Sequence, residues 1–375
     1  MVGVTRTGVT SQADQELIDY AAGRERTVTG RQIERWRSRG LLPPNVQRAL
    51  GRGRGSTSQL APGARELVVW LTEHARPGQR PADLALLAFG AGLLVPEATV
   101  RTAFKDAVGR IELSVERVMP AGSLPEDIAD AAVRAAPRAT MVPARIRRID
   151  SALAKLGTNW SAPELTALDP GCSSEPATIN DWTHAAVQMV LGGGGAIDLA
   201  TIGMLARAMG PAGSASPVAA QMEYRWPGNE EEAEDLLTED GAMSFLPPGD
   251  LRDHLRELAA GTPVEELRDA WRLTVHAPDW AANLCDAVER EIADRQAGEA
   301  MNEWVLGALG PPRLALITAL GSPRAGPAGT ATSALSLLYT RNIIRLLRRI
   351  MPNGQFDLLA NPVLTPPFLV PFMTG

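Results

Sequence analysis

Helix-type spacing of apolar residues, interrupted at short intervals by proline and glycine, is the feature that most constrains the fold of this chain. The sequence contains 29 prolines and 35 glycines. Most segments between them place apolar residues three or four positions apart, as an amphipathic helix does. Alternation of apolar and polar residues, which is typical of half-buried strands, is rare, and we find no internal repeat. The pattern predicts a mainly α-helical protein.

The proline-rich breaks also suggest a domain organisation, with a first boundary at Pro77–Pro81. The tail contains too many prolines for a helix, and we expect it to lie across an apolar groove of the chain itself or of a second subunit. Within the body, helices are predicted near 181–209, 250–260, 263–274, 278–308 and 330–350. The expected segments are an N-terminal module at 1–80, a helical region at 81–157, a linker or long loop at 158–180, a helical body at 181–350 and the tail at 351–375.

The composition belongs to an ordinary globular protein, because 45% of the 375 residues are hydrophobic and 21% are charged. Only two cysteines occur, Cys172 and Cys285, which excludes a disulfide scaffold and a cysteine-rich zinc module. The first residues contain no apolar run typical of a secretory signal. We therefore expect a cytoplasmic protein.

Charge is distributed unevenly along the chain. Residues 1–80 contain 13 arginines and seven acidic residues, whereas the remaining residues contain 24 basic and 36 acidic ones. Between Arg24 and Arg54, nine arginines are opposed only by Glu25 and Glu34. A small basic module attached to an acidic body suggests that the module binds a polyanion, although a solvated arginine-rich face would give the same charge.

Local signals divide the N-terminal module into three helices and a loop. Gln12 to Arg24 is predicted to be a helix with Ser11 as its N-cap, burying Leu17, Ile18 and Ala21. A second helix is expected from a Thr29 cap to Arg39, with Gly40 ending it. Asn45–Ser58 has the glycine, serine and threonine content of a loop or hairpin, and Pro62 precedes a third helix.

The second helix has two chemically different faces. At about 100° per residue, Arg31, Arg35 and Arg39 lie within about 80° of one another, while Ile33 and Trp36 lie on the opposite side. Guanidinium groups match phosphate oxygens and the guanine edge, and the amide of the neighbouring Gln32 matches adenine. A helix of this kind after a helix and a turn favours a helix-turn-helix whose second helix enters the major groove. The following glycine-hinged loop adds arginines that suit phosphate contacts. The predicted DNA-binding residues are Thr29, Arg31, Gln32, Arg35, Arg39, Arg48, Arg52 and Arg54.

The run VTGRQIERWRSRGLLP, residues 28–43, resembles the DNA-binding domain of MerR-type regulators. In that family an arginine-rich β-wing and a further helix follow, as Asn45–Ser58 and Pro62–Ala75 would supply here. The resemblance covers residues 12–76 and implies a winged helix-turn-helix with a small β wing that binds duplex DNA, usually as a homodimer at a pseudo-palindrome. The matching positions are Val28, Thr29, Gln32, Ile33, Trp36, Gly40, Leu41, Leu42 and Pro43.

The segment departs from the family pattern at two positions. Glu34 stands where the family normally has a phosphate-contacting arginine, and Arg35 replaces the first of two aromatic residues. Arg35 is placed to take over the phosphate contact one position along.

The rest of the sequence carries no signature of catalysis. The four histidines are scattered, the two cysteines have no neighbouring ligand pair, and no nucleophile or phosphate-loop motif is present. We therefore expect no metal, no cofactor and no enzymatic activity. The apolar stretch Ala185–Ala206 contains four glycines and Asp198, so a membrane span is not expected.

These observations favour a DNA-binding protein: a MerR-like transcriptional regulator, nucleoid-associated, with a helical dimerisation or sensing body that recognises an unknown effector or protein partner. One alternative is a phage- or plasmid-type DNA-recognition or assembly protein. Another is a helical protein-interaction protein whose N-terminal module no longer binds DNA, which the Glu34 departure permits.

Overall fold

The computed structural model describes residues 11–49, 56–110, 250–294, 326–350 and 368–374. This part of the chain is mainly helical, as the sequence predicts, and it contains one antiparallel pair of short strands. In chain order the elements are α1 (Gln12–Ala22), α2 (Gly30–Ser38), β1 (Val46–Ala49), β2 (Ser56–Gln59), α3 (Ala64–His74), α4 (Pro81–Gly90), α5 (Glu97–Gly109), α6 (Leu251–Gly261), α7 (Val264–Asp294), α8 (Gly326–Ile350) and α9 (Val370–Thr374).

The first two helices begin where the sequence predicts them. The Ser11 hydroxyl accepts a hydrogen bond from the backbone N–H of Asp14 at 3.1 Å. The Thr29 hydroxyl accepts one from the backbone N–H of Gln32 at 3.3 Å. Both side chains satisfy a backbone donor that has no partner within its own helix, so both N-cap predictions are confirmed.

The N-terminal core forms where α1, α2 and α3 turn their apolar faces to the interior. Leu17 and Ala21 are buried in α1 as expected, while Ile18 is only half-buried. α2 contributes its two apolar residues and α3 contributes one face of its two central turns. The buried residues from α2 and α3 are Ile33, Trp36, Ala64, Leu67, Val68 and Leu71.

A β-hairpin connects α2 to α3. Val46 pairs with Gln59 and Ala49 pairs with Ser56 in antiparallel register. The hairpin confirms the strand-like alternative for Asn45–Ser58, and its tip, residues 50–55, lies outside the described residues.

α4 and α5 pack against each other, and this pair contacts the turn after α2 and the residue before α3. Thr99 of α5 donates a hydrogen bond from its hydroxyl to the carbonyl of Gly40, at 2.8 Å, in the turn after α2. A Cβ at Gly63, which precedes α3 with φ of +74°, would lie 2.8 Å from the Leu94 side chain. Both glycines therefore allow a close approach that a larger residue would prevent.

Contacts divide the chain into two compact units. The first comprises residues 1–110, 259–272 and 325–332. It therefore includes α4, α5 and residues 259–272, which are far away in sequence. We call residues 259–272, where α6 ends and α7 begins, the α6–α7 corner. The turn at the predicted boundary Pro77–Pro81 separates two parts of this one unit, and whether residues 1–80 form an independently folding domain stays a prediction.

Aromatic and arginine side chains join this corner to the α4–α5 pair. The rings of Trp271 and Phe104 meet edge to face with centroids 6.3 Å apart. Arg101 donates to the carbonyls of Ala259 and Ala260 at 3.0 and 2.7 Å, which satisfies acceptors at the end of α6. The guanidinium of Arg268 lies 4.8 Å from the centre of the Phe89 ring.

The second unit comprises residues 111–258, 273–324 and 333–375. Here the end of the tail packs on its own chain: Leu369 and Met373 are buried against Ile344, with Leu273 and Leu337 beside them. This agrees with the expectation of an apolar groove occupied by the tail. The sequence prediction that no part of the tail is helical is wrong, because α9 forms a short helix there. Its proline is at the second position of the helix, where no intrahelical N–H bond is required.

One further sequence prediction needs correction, and three others concern residues that the structure does not describe. The helix predicted at 263–274 and the described part of the helix predicted at 278–308 form one helix, α7, which continues through Pro278 to Asp294; residues 295–308 lie outside the described residues. Ala277 and Thr274 are buried beside that proline, so tertiary packing offsets the lost backbone hydrogen bond. The linker at 158–180, the predicted helix at 181–209 and the helical region after residue 110 lie outside the described residues.

Candidate nucleic-acid interface

α2 presents one anchored face and one exposed face, as its sequence predicts. Ile33 and Trp36 are 0% and 4% exposed. On the other side, Arg31, Arg35 and Arg39 are all exposed to solvent. We call these three residues the arginine stripe.

A fourth arginine, Arg37, fixes α2 to the rest of the module. Its guanidinium forms an ion pair with Asp14 of α1, and its Nη2 donates to Oδ1 of Asn45 at 2.7 Å. Both acidic and basic side chains of the ion pair are only 19% exposed. The sequence pattern alone does not assign a role to Arg37, although its position four residues after Ile33 places it at the edge of the buried face.

Other arginines of the module are also engaged within the protein. Arg26 forms an ion pair with Glu73 at 2.8 Å. Arg65 pairs with Glu16, which raises the pKa of Arg65 above its usual value through a side-chain hydrogen bond and the carboxylate charge. The guanidinium of Arg24 lies 3.7 Å from the centre of the Tyr20 ring.

The arginine stripe differs from these residues because none of its side chains has an ion-pair partner among the residues that the structure describes. Within the part of the chain that the structure describes, no acidic side chain lies within 4.0 Å of Arg31, Arg35 or Arg39. Glu34 is exposed on the same side of α2, about 60° around the helix from Arg31, and it is also without an ion pair among the described residues. The stripe is therefore available to an anion from solution.

Thr29 and Gln32 form a reciprocal cap at the start of α2. The Oε1 atom of Gln32 accepts from the backbone N–H of Thr29 at 2.9 Å and from the Thr29 hydroxyl at 3.1 Å. Together with the bond from the Gln32 N–H to the Thr29 hydroxyl, this is a capping box. Both residues were predicted to contact DNA. The structure shows that both also cap α2.

Of the three predicted site residues in the hairpin, the structure describes the backbone position of one. Arg48 lies on β1 opposite Thr57 in the strand register. Arg52 and Arg54 belong to the hairpin tip, outside the described residues. Their role as phosphate contacts stays a prediction.

No group of three or more histidine, cysteine, aspartate or glutamate residues in the described ranges could hold a metal ion. Among the same residues, the helices are too short or too polar to cross a membrane.

No family model, curated protein or solved structure matches this chain. The resemblance to MerR-type domains, which the run 28–43 carries, therefore stays a prediction from the sequence.

Proposed function

We propose that the N-terminal module binds duplex DNA through α2 and the hairpin, and that the chain acts as a MerR-like transcriptional regulator. The single observation that carries the proposal is the arginine stripe: three exposed guanidinium groups with no ion-pair partner among the described residues, on a helix whose other face is buried against the module.

The N-terminal end of the stripe is unfavourable for the isolated helix, which argues that it serves a ligand, whereas Arg35 lies in the last turn, where the helix dipole favours a cation. Arg31, Arg35 and Arg39 are spaced four residues apart, and like charges at this spacing destabilise a helix by about 0.2–0.5 kcal/mol per pair. Arg31 also lies in the first turn of α2, which contains no acidic residue, and a cation is unfavourable at this positive end of the helix dipole. Phosphate groups would neutralise both effects.

The shape of α2 is also suited to a groove of DNA. With its side chains an α-helix is about 10–12 Å in diameter, and the nine residues of α2 span about 13 Å along the helix axis. The major groove, about 12 Å wide, admits one α-helix. The ion pair between Arg37 and Asp14 fixes the rotation of α2, so that the stripe faces away from the core. A fixed helix places its side chains on DNA with less loss of conformational freedom than a mobile one.

The regulator part of the proposal concerns the acidic remainder of the chain. Residues beyond 80 carry 24 basic and 36 acidic groups, so they would be repelled by DNA. We assign them to dimerisation and to the recognition of an effector or protein partner, in keeping with the MerR-like resemblance.

The test is a comparison of two triple variants of the full-length protein with equal loss of charge. One variant replaces the arginine stripe by alanine, and the control replaces Arg24, Arg76 and Arg80, which are exposed elsewhere in the module. Binding to a labelled random-sequence duplex is measured by fluorescence anisotropy over a salt titration. On a random-sequence duplex, where no specific base contact is made, all three arginines of the stripe are expected to pair with phosphates. Because each lost phosphate contact changes the slope of log K against log salt by about 0.9, the stripe variant should lose nearly three units of slope.

The control variant should retain most of the slope, because its arginines act on DNA only at longer range. Equal losses in the two variants would show that binding follows net charge alone. Absence of binding by the wild-type protein at low salt would remove the proposal and favour the protein-interaction alternative, in which Glu34 and the stripe would contact a mixed-charge partner.

A further inference from the structure

We propose, building on the proposed function, that this protein recognises guanine-containing half-sites through Arg31 and Arg35, and that Gln32 positions the helix instead of reading adenine. The sequence alone leaves Gln32 as a reader of adenine. The capping geometry of α2 decides whether Gln32 reads a base or positions the helix.

The orientation of the Gln32 amide is fixed by its partner. The backbone N–H of Thr29 can only donate, so the atom 2.9 Å away must be the carbonyl oxygen of the Gln32 side chain. The Thr29 hydroxyl, at 3.1 Å, occupies a second acceptor position of the same oxygen. The oxygen is thus directed toward the turn before α2.

Reading adenine requires both ends of a glutamine amide. The oxygen accepts from the adenine N6 amino group while the nitrogen donates to N7, in one plane. With its oxygen held by Thr29, Gln32 cannot make this pair of bonds. Releasing the oxygen would break both of its bonds to Thr29 and open the capping box at the start of the helix.

Arg31 and Arg35 meet the requirement that Gln32 does not. Both are exposed, and neither has an ion pair with a described residue. An arginine fork donates to O6 and N7 of guanine together, a pair of acceptors that the other bases do not present in the major groove. The two residues are about 6 Å apart along the helix axis, close to two base steps of about 3.4 Å.

Arg39 is better placed for phosphate than for a base edge. It is the C-cap residue of α2, beside the Gly40 turn that Thr99 holds. In helix-turn-helix proteins the N-terminal part of the recognition helix contacts base edges, which favours Arg31 at the second position of α2, and Arg35 one turn later, over Arg39. Two guanines within two or three base pairs are therefore expected in each half-site.

The experiment selects bound sequences from a random duplex pool with the full-length wild-type protein and with the variants Q32E, Q32A, R31A and R35A. Glutamate retains the capping box, since its carboxylate also accepts from the Thr29 N–H, whereas alanine removes it. A glutamate that reads a base accepts from cytosine N4. Q32E should bind all duplexes more weakly because of its charge, but it should select the same bases as the wild type.

R31A and R35A should each lose guanine discrimination at one base pair, by about fivefold to 150-fold. Q32A should select the wild-type bases and melt at a lower temperature than Q32E, which identifies Gln32 as a positioning residue. A switch from adenine to cytosine in Q32E would overturn the assignment of Gln32, and a selected site without guanine would overturn that of the arginines. If the wild type selects no sequence and binds no duplex, the proposed function itself fails, which is a different result from either of these.

Discussion

Arginine performs opposite tasks in α2 and in the α7–α8 region. In α2 the stripe is exposed and has no internal partner among the described residues. In α7 and α8, Arg268 and Arg341 are only 8% and 6% exposed, with their guanidinium groups 4.8 and 4.6 Å from the ring centres of Phe89 and Phe372. One group of arginines is available to solvent, whereas the other is part of the packing.

The contrast shows why charge alone does not locate function in this chain. Of its 37 basic residues, 35 are arginine, so arginine occupies positions of every kind. A planar guanidinium can stack on an aromatic ring or bind an anion, and its methylene groups can be buried like those of an apolar residue. Solvent access and the nature of the partner decide which of these a given arginine does.

The largest expected effect tests the two faces of α2. Trp36→Ala should destabilise the module by about 3–5 kcal/mol, since Trp36 is a large aromatic residue that is 4% exposed. Arg35→Ala, on the stripe, should change stability by no more than about 0.5 kcal/mol. Hydrogen exchange of α1 and α2, measured by mass spectrometry in the full-length protein, reports on this region alone. Similar losses of protection in the two variants would mean that α2 is rotated from the orientation described here.

A smaller effect is expected from the packed arginines. Arg268→Ala should destabilise the first unit by about 1–3 kcal/mol, because it removes a desolvated stacking contact with Phe89 and the burial of the side-chain methylenes. Arg268→Met keeps most of the buried volume and should therefore cost less. Exchange protection in α4 gives the measurement. An unchanged protection in Arg268→Ala would show that this arginine is no more structural than Arg35.

The sequence predicted those features of the site that depend on neighbours along the chain. The Ser11 and Thr29 caps and the burial of Ile33 and Trp36 follow from spacing within one or two helical turns. The pairing of Arg37 with Asp14 and the packing of Trp271 on Phe104 were not predicted. Contacts of this kind join residues far apart in sequence, and no local periodicity specifies them.

The same reason accounts for the helix through Pro278. A proline inside a helix is unfavourable by about 3 kcal/mol when only local preference is counted, so the sequence predicts a break. Burial of Ala277 and Thr274 on the same helix contributes a stabilising free energy that offsets this cost. That contribution exists only in the folded chain.

The smallest expected effect concerns the turn between α1 and α2, which the sequence analysis also passed over. Three helices end in one hydrogen-bond pattern, in which two backbone N–H groups reach back to carbonyls three and five residues earlier. After α2 and α4 the residue in the left-handed conformation is glycine, with φ of +71° at Gly40 and +85° at Gly92. After α1 the equivalent residue is Glu25, with φ of +59°. Glycine is the usual residue at this position.

Replacing Glu25 by glycine should therefore stabilise the module. The left-handed conformation costs a residue with a Cβ about 1–2 kcal/mol, and the greater freedom of glycine in the unfolded chain returns about 0.4–1 kcal/mol of this. The net gain should be about 0.5–1 kcal/mol, seen as slower hydrogen exchange at the end of α1.

Two control variants separate backbone strain from electrostatics. Glu25→Gln removes the charge and keeps the Cβ, so it should leave hydrogen exchange unchanged. Gly92→Ala is the reverse control: a Cβ there meets no atom within 4 Å, so any loss of stability reports the backbone conformation alone. If Glu25→Gln stabilises the turn as much as Glu25→Gly does, the carboxylate and not the backbone is the source of the strain. The carboxylate of Glu25 would then be repelled by the negative end of the α1 dipole. Asp14 differs, because its carboxylate forms an ion pair that stabilises the position of Arg37.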